Sequence, residues 1–286
     1  MLWEFFRRAL WALFGVPMLL LLGYLGGWWF FTPMALLCLV GLAEYYSATT
    51  ISDYRPAVPW GFAAGIAIMA GPQFIAAQDI GEYTAVVIVI AVAGALLLAL
   101  RQGTKQHAVV NTAVTVFGVV YVALFFSYII HLRNFDLPQA MGDGTIGEFW
   151  HRMGAMMLVI VPVWFCDTFA FLAGNTWGRH QLAPQVSPKK TVEGAIAGGL
   201  AALLATISLG LWMGMPWYHA VVTGVLIAIF AQLGDVSKSV LKRDLKIDDF
   251  GSIFGVHGGF LDRFDGLLFA MPLAYYYLHI FFVMLK

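Results

Sequence analysis

The feature that most constrains this chain is a series of apolar stretches, each long enough to cross a lipid bilayer. A transmembrane helix needs about 20 mostly apolar residues. The 286 residues are 61% hydrophobic and 11% charged, whereas soluble domains contain about 25% charged residues. We therefore predict an all-α, polytopic membrane helix bundle with about nine transmembrane helices. The predicted spans lie near residues 9–26, 28–46, 59–77, 82–100, 108–130, 153–174, 194–213, 216–234 and 264–284.

The basic residues are divided unevenly between the two ends of these spans. Of the 16 Lys and Arg residues, all but Arg133, Arg152 and Lys286 fall on one side, which leaves 13 there. Cytoplasmic loops of membrane proteins carry an excess of Lys and Arg. This asymmetry predicts a multi-pass protein of the cell (inner) membrane with a cytoplasmic N-terminus. The net charge is zero, so no overall field attracts polyanions, and we expect no nucleic-acid partner.

The residues that could bind or convert a substrate are concentrated in the second part of the chain. We predict that residues 1–150 form N-terminal transmembrane helices that act as a membrane frame. Residues 151–286 are predicted to form a C-terminal transmembrane catalytic region, with a polar segment at the cytoplasmic face. Between Asp235 and Asp265 the chain has eleven charged residues and the triplet His257-Gly258-Gly259. Ionisable groups next to membrane spans are costly and indicate function by default.

Two motifs upstream of this segment add further candidates. Asp167 lies deep in an apolar run, where a carboxylate indicates a functional site or, alternatively, an ion pair that locks two helices. In residues 187–194, Lys189 and Lys190 supply positive charge, and Thr191 is placed to cap the following helix. The start of a helix readily binds phosphate. The alternative for this motif is an ordinary positively charged cytoplasmic loop.

The acids and bases of the polar segment suit polyphosphate and metal chemistry. Asp262 and Asp265 are three residues apart and share a helix face, and such carboxylates bind hard cations like Mg²⁺, which bridge substrate phosphates. A second shared face carries Ser239, Lys242 and Arg243. The ammonium group of Lys242 and the guanidinium groups of Arg243 and Arg263 would hold phosphates. His257 is either an acid/base group or a hydrogen-bonding anchor of the loop.

These motifs resemble the phosphatidate cytidylyltransferase family, also called CDP-diacylglycerol synthases. The C-terminal pattern of that family is matched by Ser239, Lys242, Arg243, Asp249, Gly251, His257, Gly258, Gly259, Asp262, Arg263 and Asp265. Its upstream patterns are matched by Asp167, Thr168, Ala170, Ser187, Pro188, Lys190, Thr191, Glu193 and Gly194. The chain departs from the pattern at Asp248, where the family has Lys, and at Gly255-Val256, where it has Pro-Gly.

The resemblance implies an enzyme that transfers CMP from CTP to phosphatidic acid and forms CDP-diacylglycerol and pyrophosphate, as a homodimer. It implies Mg²⁺ as the cofactor, with a second cation as an open option, and assigns the metal ligands to Asp235 and Asp262. The implied catalytic residues are Asp235, Asp262, Lys242, Arg243 and His257. The implied substrate-binding residues are Asp167, Ser187, Lys190, Thr191, Glu193, Ser239, Asp249, Gly258, Gly259, Arg263 and Asp265.

Two other functions are compatible with parts of the pattern. A CTP-dependent transferase that acts on a different lipid phosphate would share the motifs, and the two departures keep it open. A secondary transporter would also have many spans and intramembrane acids such as Asp167, but its polar groups would more often lie near the midplane of two related halves. Here the polar groups collect at one face, and no internal repeat is visible. An enzyme that acts on CTP and phosphatidic acid in the bilayer is therefore favoured.

Overall fold

The computed structural model describes residues 15–76, 78–100, 107–135, 145–251 and 258–281. Helices form nearly all of the described structure. In chain order they are α1 Gly15–Leu25, α2 Gly27–Ile51, α3 Val58–Phe74, α4 Ile80–Leu100, α5 Ala108–Gly118, a π-helical segment Val119–Leu124, α6 Phe125–Arg133, α7 Thr145–Trp177, α8 Val192–Trp212, α9 Trp217–Asp244 and α10 Phe260–His279. The predicted all-α membrane bundle is confirmed.

The predicted count of about nine spans is not confirmed. Among the described residues, six helices are long and apolar enough to cross a membrane. They are Gly27–Ile51, Ile80–Leu100, Ala108–Arg133, Arg152–Trp177, Val192–Trp212 and Trp217–Asp244. The described parts of α1 and α3 have 11 and 17 residues, which is less than a full crossing. Helix α10 begins with Asp262, Arg263 and Asp265, which reduce its hydrophobicity.

A short β-hairpin connects α7 to α8, where the sequence predicted only a loop. Strand β1, Gln181–Ala183, pairs antiparallel with strand β2, Ser187–Thr191. Gln181 lies opposite Thr191, and Ala183 lies opposite Ser187. Because each strand has only one neighbour, β2 tolerates Pro188, which has no backbone N–H to donate. The hairpin gives Lys190 a defined position beside the first turn of α8.

The described elements divide into two compact units. Unit 1 contains Met1–Ile130 and Leu245–Arg263, and unit 2 contains His131–Asp244 and Phe264–Lys286. Helix α10 therefore begins in unit 1 and continues in unit 2. The predicted division at residue 150 separates a membrane frame from a catalytic region. That division concerns roles and stays a prediction.

Small residues allow the helices of unit 2 to approach closely. Helix α8 buries Gly194 and Gly198, and a side chain at either position would overlap a backbone carbonyl of α7, at Ala170 and Cys166 respectively. Small residues four apart are the usual means of close packing between membrane helices. At the end of α7, a side chain at Gly178 would overlap Thr191. These contacts account for glycine at positions 178, 194 and 198.

Unit 1 is held together by aromatic side chains that lie against glycines. The hydroxyl of Tyr46, on α2, donates to the carbonyl of Thr115 at 2.8 Å. The Tyr46 ring occupies the space beside Gly61 and Gly118. Aromatic residues bury a large apolar area, and a buried hydroxyl needs a hydrogen-bond partner. This tyrosine therefore links α2, α3 and α5 and fixes the position of α2 within the unit.

Candidate active site

Four charged side chains form an ion-pair cluster in unit 2, which we call the Lys–Asp cluster: Lys190, Asp235, Lys238 and Asp265. The Nζ atom of Lys190 lies 2.6 Å from Oδ2 of Asp235. The Nζ atom of Lys238 lies 3.4 Å from Oδ1 of Asp235 and also pairs with Asp265. Lys238 therefore bridges the two aspartates, while Lys190 contacts Asp235 from the hairpin.

The cluster has an inner pair and an outer pair. The side chains of Lys238 and Asp265 are 11% and 9% exposed, whereas those of Lys190 and Asp235 are 24% and 34% exposed. A buried charge requires a partner because its desolvation is costly. The inner pair meets that requirement internally. The outer pair is less buried as a whole, although the Nζ atom of Lys190 is itself buried and lies against Asp235.

A third aspartate influences this site. Asp167, on α7, interacts electrostatically with Asp265, as does Asp235. Oxygen ligands of this kind suit a hard divalent ion.

Helix α9 places Asp235 and Lys238 on one face. The predicted span ended at residue 234, but the helix continues to Asp244. Residues three apart in a helix are neighbours, so the continuation brings the two charges together. The Ser239 hydroxyl donates to the carbonyl of Asp235 at 2.9 Å and is thus occupied within α9. Gly234 has no side chain, which allows the backbone carbonyl of Asp265 to approach.

The partner of Asp265 is a basic residue on another helix. The structure pairs Asp265 with Lys238 on α9. The Asp265 Oδ1 atom also accepts from the Gly266 backbone N–H at 2.7 Å. Arg263 is exposed and lies at the end of unit 1. Asp265 therefore anchors α10 within unit 2.

Local capping interactions position the hairpin residues. Thr191 is the N-cap of α8, as predicted, and its side chain accepts from the Gly194 backbone N–H at 3.2 Å. The Val192 N–H donates to the carbonyl of His180 at 2.8 Å. The N–H groups of Val192 and Gly194, at the start of α8, thus have partners within the protein. Lys190 precedes this cap directly, so the cap fixes the backbone from which its side chain extends.

Glu193 holds the hairpin against the first turn of α8. Its carboxylate accepts from the backbone N–H groups of Arg179 and His180, at 3.1 and 3.2 Å. It also lies 2.6 Å from Nδ1 of His180. The predicted substrate-binding role of Glu193 stays a prediction, and its observed contacts belong to the chain itself. These contacts close the connection between α7 and β1.

The last turn of α9 carries Lys242 and Arg243, and the hairpin is bonded to it. The Nε atom of Arg243 donates to the carbonyl of Val186, next to Ser187 at the start of β2, at 3.3 Å. Helix α9 extends to Asp244, so Ser239, Lys242 and Arg243 lie on the same helix, as predicted. This hydrogen bond joins the basic end of α9 to the hairpin that carries Lys190.

Asp262 and the glycine pair belong to unit 1. The Oδ2 atom of Asp262 accepts from the backbone N–H groups of Phe250 and Gly259, each at 3.1 Å. Gly258 has a φ of 78°, which glycine adopts without strain. Asp249 is exposed at the end of the preceding segment. His257, the remaining predicted catalytic residue, lies outside the described residues.

The predicted pairing of Asp235 with Asp262 as metal ligands stays a prediction. The two residues belong to different units. In the part of the chain that the structure describes, no three His, Cys, Asp or Glu side chains form a group that could hold a metal ion. Mg²⁺ commonly uses one or two carboxylates and takes its other ligands from water and substrate phosphates. The partly exposed carboxylate of Asp235 fits that chemistry.

Two residues with site contacts were missed in the sequence. Lys238 was counted only as a basic residue, although its spacing of three from Asp235 could have indicated the ion pair. Glu44 lies within a predicted span, and its carboxylate accepts from the backbone N–H groups of Phe260 and Leu261. An acid inside a span is itself a signal of function. That signal was present at residue 44.

A sequence model of the Cytidylyltransferase family matches residues 6–281 of the chain. A phosphatidate cytidylyltransferase from Synechocystis sp. is 28% identical over 296 aligned positions, which cover 95% of each protein. One from Bacillus subtilis is 36% identical over 167 positions, or 57% of each protein. Phosphatidate cytidylyltransferase 4, chloroplastic, from Arabidopsis thaliana is 30% identical over 87% of this chain and 67% of its own length.

These matches agree with the motifs that surround the Lys–Asp cluster. The family model extends over nearly the whole chain, including the N-terminal helices for which the motifs gave little information. An enzyme is therefore indicated instead of a secondary transporter. The protein belongs to the cytidylyltransferase family.

Proposed function

We propose that this protein transfers the CMP group of CTP to phosphatidic acid, forming CDP-diacylglycerol and pyrophosphate in phospholipid biosynthesis. The relatives named above are phosphatidate cytidylyltransferases. The observation that carries the proposal is the Lys–Asp cluster, in which the partly exposed pair of Lys190 and Asp235 adjoins the buried pair of Lys238 and Asp265. Such a site offers both positive charge for phosphates and carboxylates for a cation.

Lys190 is the first candidate for binding the CTP phosphates. The N–H groups of Val192 and Gly194 at the start of α8 already donate within the protein. We therefore assign phosphate binding to the Lys190 ammonium instead of the helix start. A phosphate oxygen would replace Asp235 at this lysine, exchanging an ion pair for a charge-assisted hydrogen bond. Arg243 and Lys242, at the end of α9, would contact the outer phosphates.

Mg²⁺ forms part of the proposal, with a second cation as an option. Asp235 and Asp262 are the residues that would hold the ion. When bound, Mg²⁺ supplies Lewis-acid stabilisation of the charge on the transferred phosphoryl group. Lys190 moves from Asp235 to a phosphate in this proposal, which leaves a carboxylate oxygen available as a ligand.

The reaction itself demands little proton chemistry. An anionic oxygen of the lipid phosphate attacks the α-phosphorus of CTP and forms a new P–O bond. The bond from the α-phosphorus to the bridging oxygen breaks, and that oxygen leaves with the pyrophosphate. The nucleophile is already ionised, so the main tasks are positioning and charge neutralisation. Lys190, Lys242 and Arg243 are assigned those tasks, and His257 is not required as a base.

Orientation and assembly complete the proposal. The 13 basic residues on one side favour a cytoplasmic site, where CTP is available. The resemblance to the phosphatidate cytidylyltransferases further implies a homodimer. Sedimentation of the detergent-solubilised protein measures its subunit number, and a monomer that retains full activity would contradict the dimer.

The test is a turnover assay on the purified protein in detergent micelles. Labelled CTP is supplied with phosphatidic acid, and both the labelled lipid product and the released pyrophosphate are measured. Asp235→Asn and Asp262→Asn are each expected to lower turnover by about 100-fold or more. Glu148→Gln is the matched control, because it removes an acid that pairs with Arg152 on the exposed surface of α7.

Four outcomes decide between the possibilities. Lipid product that depends on phosphatidic acid and on Mg²⁺ supports the proposal. Turnover with a different lipid phosphate, and none with phosphatidic acid, would favour the alternative transferase. Full activity in excess chelator would remove the metal from the mechanism. Normal turnover by Asp235→Asn would remove the Lys–Asp cluster from the reaction.

A further inference from the structure

Glu44 is a buried acid on a membrane-spanning helix, and its contacts lie 216 and 217 residues away in the sequence. Its Oε1 atom accepts from the Phe260 backbone N–H at 2.9 Å, and its Oε2 atom accepts from the Leu261 N–H at 3.1 Å. Phe260 and Leu261 are the first two residues of α10. Both carboxylate oxygens of Glu44 thus bind the start of that helix.

The start of α10 lacks the cap that most helices supply locally. The first N–H groups of a helix have no partner within it, and a Ser, Thr, Asp or Asn side chain at the N-cap usually accepts from them. Here Gly259 occupies that position and has no side chain. Asp262 accepts from the N–H of Gly259, which is half of a capping box. Glu44 provides the missing acceptors from α2.

Two glycines make room for this carboxylate. A side chain at Gly259 would overlap the carboxylate of Glu44. A Cβ atom at Gly251 would lie 2.5 Å from Oε1 of Glu44. Neither glycine has a positive φ, so the reason for glycine at these positions is the space that the carboxylate occupies. The negative charge is also stabilised by the helix N-terminus that it caps.

We propose that Glu44 is a positioning residue, which supplies the N-terminal cap of α10 from α2 and thereby orients Asp262 and the Gly258-Gly259 turn for the reaction. The inference rests on the proposed function in one respect, because it takes Asp262 as part of the reaction site. It also explains why an acid occurs in the apolar helix α2, far in sequence from the motifs. The start of α10 is occupied by this acid and is not a phosphate site.

The first test measures the segment directly in the full-length protein, without CTP or metal. Hydrogen exchange is followed in the peptide that covers residues 258–264, for wild type, Glu44→Gln and Glu44→Ala. Both variants are expected to exchange faster there, with the larger change in Glu44→Ala, because Gln retains one acceptor oxygen. Thr49→Val is the matched control, since Thr49 is buried on the same helix and its hydroxyl donates to the carbonyl of Tyr46, one turn away.

The second test is kinetic. In Glu44→Gln, kcat is expected to fall by about 10- to 100-fold, the usual effect of losing a residue that orients a ligand. The KM for CTP is expected to change by less than about 3-fold, because Glu44 touches no nucleotide group in this proposal. The Mg²⁺ concentration for half-maximal activity should rise. Glu44→Asp keeps the charge, so it should be less impaired than Glu44→Ala.

A double-substitution cycle separates positioning from general damage. Gly259→Ala should destabilise the wild-type protein, because the added methyl group meets the Glu44 carboxylate. The same substitution should cost much less in the Glu44→Ala background, where that space is open. Equal losses in both backgrounds would overturn the steric argument, and thermal unfolding in detergent measures them even if activity is lost.

The outcomes are distinct from those of the proposed function. Unchanged exchange in residues 258–264 of Glu44→Ala would overturn the inference, and so would faster exchange with normal kcat. A rise in the KM for CTP alone would also overturn it. A wild-type protein that forms no CDP-diacylglycerol would contradict the proposed function, while the exchange experiment would still determine whether Glu44 holds the start of α10.

Discussion

Lys238 offers the sharpest test of how the Lys–Asp cluster is stabilised. The substitution Lys238→Met keeps most of the side-chain volume but removes the ammonium that bridges two acids. Asp265, with a side chain that is 9% exposed, would then be left beside the like charge of Asp235. Removing one partner of a buried ion pair costs about 3–5 kcal/mol. We expect a loss of unfolding free energy in that range.

The size of this loss follows from burial, so an exposed pair in the same chain provides the control. Arg152 lies 2.8 Å from Glu148 on the exposed surface of α7. Arg152→Met should cost no more than about 1 kcal/mol, because water screens the pair and solvates the remaining acid. The two losses are compared by equilibrium unfolding in mixed detergent micelles, with tryptophan fluorescence as the probe.

A second substitution tests whether the unpaired charge causes the damage. Asn at position 265 removes the charge and can still accept from the Gly266 N–H, which now binds Asp265 at 2.7 Å. Lys238→Met with Asp265→Asn should therefore recover most of the lost stability. If Lys238→Met loses no more unfolding free energy than Arg152→Met, burial of the ion pair does not set the cost. If the double variant is as unstable as Lys238→Met alone, the unpaired charge of Asp265 is not the cause of the loss.

Three further predictions concern the substrates and the membrane. Lys190→Ala and Arg243→Ala should each raise the KM for CTP by about 10-fold or more through loss of a phosphate contact, as measured by initial rates, and unchanged KM values would assign both to structural roles. Asp248→Lys should increase turnover of phosphatidic acid, because it removes a negative charge near an anionic substrate. Unchanged turnover by Asp248→Lys would show that the departure from the family pattern at residue 248 does not affect the activity. In intact cells, Cys at Asn134 should react with an impermeant thiol reagent and Cys at Gln181 should not, and the reverse result would invert the orientation.

Local signals were sufficient to predict the elements of the membrane bundle. The apolar stretches predicted helices, and described helices overlap all nine predicted spans. The break between the first two helices falls between the predicted spans 9–26 and 28–46, where Gly26 and Gly27 have φ values of 62° and 51°. Thr191 caps α8 as predicted. Each of these features depends on residues within a few positions of one another, which is why the sequence reveals them.

Features set by distant contacts were harder to predict. Hydropathy placed the end of a span at residue 234, but a helix can continue into water, and α9 runs on to Asp244. The hairpin depends on contacts with Glu193 and with the end of α9. Glu44 finds its partners 216 residues away. Hydrophobic periodicity contains no information about which distant polar groups will meet.

Burial assigns different roles to two lysines that composition treats alike. Lys238 is nearly buried and bridges two aspartates, so moving it would leave Asp265 without its counter-ion at a cost of several kcal/mol. Lys190 is more exposed, lies on a hairpin fixed by Thr191 and Glu193, and contacts only the outer aspartate of the cluster. An incoming phosphate that takes the place of Asp235 at Lys190 leaves Asp235, which is 34% exposed, with Lys238 still 3.4 Å away. We therefore expect Lys238 to hold the site together and Lys190 to exchange its partner during binding.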